Sequence, residues 1–310
     1  MSRIHEALKK AEREQAASPR PKGAAEHAEP EPIVPRLTDP VGEAEKVALP
    51  PVGHREQSPA ELTFQALTER CPQPRWKPDA RTMLLFNAQN SARGTEEFRT
   101  LRSRLERLRA QQPLRTVLIT SSLPKEGKTF VAANLAQAIG RQKEKRVLLI
   151  DGDLRAPRLH MALGAPFAPG LSDYLRGDAD EFAIMQRSPH GNLLFVPGGK
   201  PASHPAELIA NGRLKNLLNR LAPLFDWVIL DSPPIVPVSD AGLLADICDG
   251  VLMIVRAGVT PFDLAQKASH EFRSKRLLGV VLNGVEPGAS YSSYYYDHYL
   301  SKAKDGKVKS

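Results

Sequence analysis

Short unbroken apolar runs recur through the second two-thirds of this chain, separated by stretches with helical spacing. The runs are "RTVLIT" (115–120), "RVLLID" (146–151), "LLFVPG" (193–198), "DWVILD" (226–231), "GVLMIVR" (250–256) and "LLGVVLN" (277–283). Continuous rather than alternating runs predict strands covered on both faces, as in a parallel sheet. Between them, "TFVAANLAQAIGR" and "AELIANGRLKNLLNRLA" read as helices. Ahead of them, "GTEEFRTLRSRLERLRAQ" places Phe98, Leu101, Leu105 and Leu108 on one helical stripe, with Arg and Glu on the other faces. Strand and helix alternating in this way predict an α/β fold, a doubly wound, mainly parallel sheet over residues 91–288.

The rest of the chain keeps a different pattern. Residues 2–15 predict a short amphipathic helix, capped by Ser2, with Ile4, Ala7, Leu8 and Ala11 at i, i+3, i+4, i+7. Helices this short are marginal alone, so the segment is either a docking element or a frayed terminus. Residues 16–90, rich in Pro, Glu and Ala, have no sustained period and are read as a disordered linker, with a short helix near "PAELTFQALTER". Residues 289–310 are read as a flexible tail.

Composition narrows the class. The 310 residues are 41% hydrophobic, enough for a sizeable core. The two cysteines, Cys71 and Cys248, have no metal or redox spacing, which points to a reducing compartment. No apolar run is long enough to span a bilayer, and the charged start lacks a signal-peptide core. The expectation is a soluble cytoplasmic protein. A net charge of +8 permits an anionic partner, but no zinc-finger or RNA-binding pattern is present, so nucleic acid is not expected.

Candidate chemistry collects at the carboxyl ends of the strands, where doubly wound folds bind ligands. After the first strand the chain reads "SSLPKEGKTF", with Gly127-Lys128-Thr129 opening a helix. In that context it is a phosphate-binding loop, with Lys128 on the β/γ-phosphates and the Thr129 hydroxyl on Mg²⁺. Ser122, Leu123, Pro124, Lys125, Glu126 and Phe130 complete the candidate nucleotide contacts. Ser122 stands where the usual motif has glycine. The second strand ends in Asp151 and Asp153, with Arg155 beyond, and the fourth in Asp231. Asp151 and Asp231 are candidates to hold Mg²⁺ directly or through water. Asp153 is the candidate to accept a hydroxyl proton or complete the metal shell. Arg155 either stabilises a phosphoryl group or forms a surface salt bridge. Asn283 is read as an adenine contact or a turn residue, and Asp240 as a helix cap.

One further feature is polar. Five of the six tyrosines, Tyr291, Tyr294, Tyr295, Tyr296 and Tyr299, lie in the C-terminal stretch among Ser, Asp, His and Lys. That company argues for display rather than burial.

Together these motifs resemble the cytoplasmic kinase component of bacterial tyrosine kinases (BY-kinases, the CpsD/CapB type), from about Glu96 to the C-terminus. The Walker A segment is similar to "SSLPKEGKT", the D-x-D motif to Asp151 and Asp153, and the Walker B segment to "VILDSPP". "GLSDYLRG" and "PGGKPASHPAELIAN" are also similar to family segments. The resemblance implies a P-loop fold of the MinD/ParA-like type and an ATP- and Mg²⁺-dependent tyrosine autokinase. In it, Lys128, Asp151, Asp153, Asp231 and Arg155 serve catalysis, and the tail tyrosines accept phosphate from a neighbouring subunit. It implies a ring-shaped homo-oligomer in which Glu96, Arg99 and Arg102 lie between subunits. It further implies a role in exopolysaccharide or capsule production, a separate membrane-embedded co-polymerase that activates the kinase and recruits it to the inner face of the plasma membrane, and a cognate tyrosine phosphatase.

Lys125 departs from the family, where glycine is common; a left-handed backbone there would be strained. The alternatives are a MinD/ParA-type ATPase switch and an ATP-binding adaptor without kinase activity. The switch proteins carry a signature lysine where this chain has Leu123, and they lack a tyrosine-rich tail.

Overall fold

The computed structural model describes residues 62–80, 82–85, 94–189, 192–272 and 275–285. The helix expected at 2–15 and the tyrosine-rich tail lie outside them. The described strands are β1 (Thr116–Ser121), β2 (Val147–Asp151), β3 (Gln186–Arg187), β4 (Leu193–Val196), β5 (Trp227–Asp231), β6 (Gly250–Arg256) and β7 (Leu277–Asn283). Six coincide with the predicted apolar runs. The two-residue β3 is too short to leave a hydrophobic signature. The sheet order is β3-β4-β2-β5-β1-β6-β7, and every pairing is parallel except β3 with β4. Asp151 and Asp231 stand side by side in register at the carboxyl ends of β2 and β5.

The helices are α1 (Phe64–Arg70), α2 (Thr95–Gln111), α3 (Lys128–Gly140), α4 (Leu159–Leu163), α5 (Leu171–Arg176), α6 (Glu181–Ile184), α7 (Pro205–Ala210), α8 (Arg213–Leu221), α9 (Asp240–Ala245) and α10 (Phe262–Glu271). The single helix read over "AELIANGRLKNLLNRLA" is two, α7 and α8, because Gly212 between them takes a left-handed φ of 83°. On one face of the sheet, α2, α3 and α4 pack against Val117, Ile119, Leu149, Phe195 and Ile229. On the other, α1 and α5–α9 pack against Leu118, Leu148, Val196 and Leu230. Phe98 and Leu105 of the predicted stripe on α2 are buried, and Leu101 and Leu108 pack partly against the same core.

Two further expectations change. β7 is not covered on both faces: Val280 and Leu282 are 49% and 62% exposed. It is the edge strand, paired only with β6 among the described residues. The linker reading of 16–90 also fails over 62–85. There α1, within the segment where a short helix was expected, buries Leu67 and Cys71 on one face of the sheet. The chain then crosses the β3 edge, where the Arg187 N–H donates to the Pro72 carbonyl (2.9 Å) and Gln73 Nε2 to the Ser188 carbonyl (3.2 Å). On the opposite face it buries Trp76, edge-on to Phe195, with Met83 and Leu85. These few large apolar residues have no helical or strand period, so their burial left no pattern to read.

This strap reaches the helix that follows the phosphate loop. Asn134 of α3 accepts from the Leu84 N–H (2.9 Å) and donates to the carbonyls of Thr82 (2.7 Å) and Phe130 (2.9 Å). Truncating Trp76 to alanine therefore removes core, not linker. Trp76→Ala is expected to lower the unfolding free energy by about 3–5 kcal/mol in urea titrations; a loss under about 0.5 kcal/mol, the usual surface value, would contradict the strap's burial.

Candidate active site

β1 ends at Ser121 and α3 begins at Lys128, so the loop between them sits at the carboxyl edge of the sheet. Gly127, at the helix N-cap, has φ 98°, and a Cβ there would lie 2.0 Å from Asn283 Nδ2. Only glycine fits. Lys125, two residues earlier, is the one described non-glycine residue with positive φ, at 67°. The strain foreseen at this departure from the family is present.

Lys128 and Thr129 both turn to carboxylates. Lys128 Nζ lies 3.1 Å from Asp153 Oδ2, and the Thr129 hydroxyl donates to Asp231 Oδ2 at 2.7 Å. Burial alone would lower the Lys128 pKa, but Asp231, Asp153 and Asp151 together hold it above its ordinary value. It is a firmly charged ammonium among acids. Burial holds the Asp231 carboxyl well above the ordinary range, opposed by Lys128 and the Thr129 hydroxyl. Its Oδ1 is buried and without a hydrogen-bond partner, as is Ser122 Oγ.

Asp151, beside Asp231 at the strand ends, is engaged by backbone N–H groups. Its Oδ1 accepts the Asp153 N–H (3.2 Å), and its Oδ2 the N–H groups of Arg158 (2.9 Å) and Leu159 (3.0 Å). Both of its oxygens thus take backbone N–H groups, and Oδ2 satisfies the start of α4. Burial first, and Asp231 second, push its pKa up. Among the described residues no group of three or more His, Cys, Asp or Glu converges on a metal position. The donor set nonetheless fits a cation such as Mg²⁺, which takes few protein ligands alongside phosphate oxygens: the Thr129 hydroxyl and the unpartnered Asp231 Oδ1 are at hand. Asp153 keeps Oδ1 on the Ala156 N–H (3.1 Å) and Oδ2 on Lys128.

Arg155 forms a salt bridge with a buried partner. Its guanidinium forks onto Asp240 at 2.7 and 2.9 Å. Asp240 is buried at the first turn of α9, while Arg155 stays partly exposed. The Asp240 carboxylate therefore serves Arg155 rather than capping its own helix. Phe130 packs edge-on to Phe98 of α2. Asn283, at the end of β7, donates to the Glu126 carbonyl at 2.8 Å. Of the three residues expected between subunits, Glu96 and Arg99 pair with each other on the surface, whereas Arg102 donates to the Ala138 carbonyl at 2.8 Å and ties α2 to α3.

Sequence reading missed Asn134, Arg256 and Thr260. Asn134 had one available signal, an uncharged polar side chain within the apolar stretch "FVAANLA" of α3. Arg256 and Thr260 gave none.

Residues 117–299 match the CobQ/CobB/MinD/ParA nucleotide binding domain family. The tyrosine-protein kinase YwqD of Bacillus subtilis is 33% identical over 67% of this chain and 90% of its own length. The succinoglycan biosynthesis transport protein ExoP of Rhizobium meliloti is 34% identical over 62% of this chain, which spans only 25% of that larger protein. The solved kinase domain of Escherichia coli tyrosine kinase ETK superposes with a TM-score of 0.64 at 28% identity, covering 74% of this chain and 92% of the domain.

The Arg155–Asp240 fork generates a stability test. Removing Arg155 strands a buried carboxylate, so Arg155→Ala is expected to cost about 2 kcal/mol of unfolding free energy, less than a fully buried pair because Arg155 is partly exposed. Adding Asp240→Asn should restore part of that loss. Wild-type stability of Arg155→Ala in urea titrations would show that Asp240 does not need the arginine.

Proposed function

This chain belongs to the bacterial tyrosine-protein kinase family, within the CobQ/CobB/MinD/ParA nucleotide-binding group, and from that premise we propose that it is an ATP-dependent tyrosine autokinase acting on its own C-terminal cluster. The observation that carries the reading is Lys128, Thr129, Asp153 and Asp231 brought together at the strand ends above a phosphate loop. The geometry supports an exchange of partners. When ATP enters, Lys128 leaves Asp153 for the β/γ-phosphates, and Asp153 Oδ2 is freed to take a proton. A tyrosine oxygen bonds to the γ-phosphorus, the bond to the β-phosphate oxygen breaks, ADP departs, and the phenol proton passes to Asp153. Mg²⁺, held by Thr129 and Asp231, would neutralise charge on the phosphate oxygens. Asp151 supports this arrangement from behind by fixing the start of α4.

The tail tyrosines, Tyr291, Tyr294, Tyr295, Tyr296 and Tyr299, are the proposed acceptors, phosphorylated in trans within a ring of subunits. The relative named for succinoglycan biosynthesis transport supports a place in exopolysaccharide or capsule polymerisation and export. Recruitment to the inner face of the plasma membrane then falls to a separate membrane co-polymerase, with a tyrosine phosphatase to reset the tail. No described helix is long and apolar enough to cross a membrane.

Mass spectrometry after incubation with Mg-ATP tests the reading. Phosphate is expected on the five tail tyrosines of the wild type and on none in Lys128→Met. ATP hydrolysis with unmodified tyrosines, with and without a co-polymerase cytoplasmic segment, would instead favour an ATPase switch. Five phosphotyrosines add roughly −8 to −10 of charge, against a net +8 for the whole chain. Phosphorylation is therefore expected to loosen the oligomer. Light scattering should report a lower mass for phosphorylated protein, and equal masses across a range of salt would contradict the charge argument.

A further inference from the structure

Glu126 is an odd residue for an anion-binding loop. It is 3% exposed, and a carboxylate there opposes the charge of any phosphate. Its two oxygens are taken up elsewhere. Oε2 accepts the Leu123 N–H three residues back, at 2.8 Å, which closes the loop on itself. Oε1 accepts the hydroxyl of Thr260, from the connection between β6 and α10. Thr260 is itself fixed, its Oγ accepting the Arg256 N–H at 3.1 Å. The backbone on either side is held from the same direction. Asn283 Nδ2 donates to the Glu126 carbonyl at 2.8 Å, and the Arg256 guanidinium to the Lys125 carbonyl at 3.3 Å.

These contacts surround the one strained residue of the loop. Lys125 is left-handed at φ 67°, and its side chain is exposed, so packing does not explain the conformation. For a non-glycine residue that backbone shape is unfavourable and persists only where the surroundings impose it. The contacts from outside the loop come from Arg256, Thr260 and Asn283, at or beside the ends of β6 and β7.

We propose that Thr260 and Asn283 are positioning residues for the nucleotide: acting through Glu126, they hold the phosphate loop in its binding shape against the backbone preference of Lys125. The inference rests on the nucleotide-binding reading above and extends it to residues that touch the loop rather than the phosphates. Asn283, read from sequence as an adenine contact or a turn residue, acquires this role through its amide nitrogen. Asn283 also lies against Gly127, where it leaves no space for a Cβ.

The test uses the full chain and N-methylanthraniloyl-ADP with Mg²⁺, followed by fluorescence, with urea unfolding of each variant alongside. Thr260→Val is expected to weaken binding about tenfold, the effect of leaving a charged acceptor short of one hydrogen bond. Thr260→Ser, which keeps the hydroxyl, should bind within about twofold of the wild type. Lys125→Gly removes the strain, so the Lys125→Gly/Thr260→Val double variant should recover most of the lost affinity. Two results would overturn the inference while leaving the kinase reading intact. One is Thr260→Val binding like the wild type. The other is a double variant no better than Thr260→Val alone, with affinity falling only in step with stability. A wild-type chain that does not bind the probe would overturn the kinase reading and this inference with it.

Discussion

An ammonium group enclosed by carboxylates is the constraint around which the rest of the molecule is arranged. Lys128 lies against Asp153, with Asp231 and Asp151 close enough to hold it charged. Burying so many like charges is unfavourable unless each finds partners. The fold supplies them from three directions. Asp151 takes backbone N–H groups from the start of α4, Asp153 takes Lys128 and a turn N–H, and Asp231 takes the Thr129 hydroxyl. One oxygen of Asp231 is left buried without a hydrogen-bond partner.

Holding Lys128 in that position depends on fixing both the loop before it and the helix that carries it. The loop is held from the β6/β7 edge through Glu126. The helix is held from the other side by the strap, whose backbone is clasped by Asn134 two turns along α3. A segment far upstream in sequence thereby bears on the phosphate loop. The same logic governs Arg155: its fork to Asp240 ties the connection after β2 to the first turn of α9. Each of these contacts joins elements remote in the chain around the same edge of the sheet.

The parallel sheet was readable because its central strands are buried on both faces, and such strands must be continuously apolar. β1, β2, β4, β5 and β6 obey that rule. β7 shared the apolar run but not the burial, since a run of Leu and Val reads alike at the centre and at an edge. The split between α7 and α8 turned on Gly212, one residue within an otherwise helical pattern. The strap was misread for the opposite reason: its buried residues are too few and too irregular to set a period, and its prolines look like those of a linker.

Local chemistry is written in local sequence. The glycine-lysine-threonine loop between strand and helix, and the aspartates at strand ends, were identifiable because phosphate binding needs those groups at those spacings. The tail of tyrosines was conspicuous because its neighbours are polar. Which partner each charge takes is another matter, since it depends on distances between residues remote in the chain. Only the tertiary structure could assign Asp151 to a helix start, Arg155 to Asp240, and Glu126 to Thr260, which lies 134 positions away. A hydrogen bond acts over about 3 Å, and nothing in the order of residues brings those atoms within that range until the sheet has closed around them.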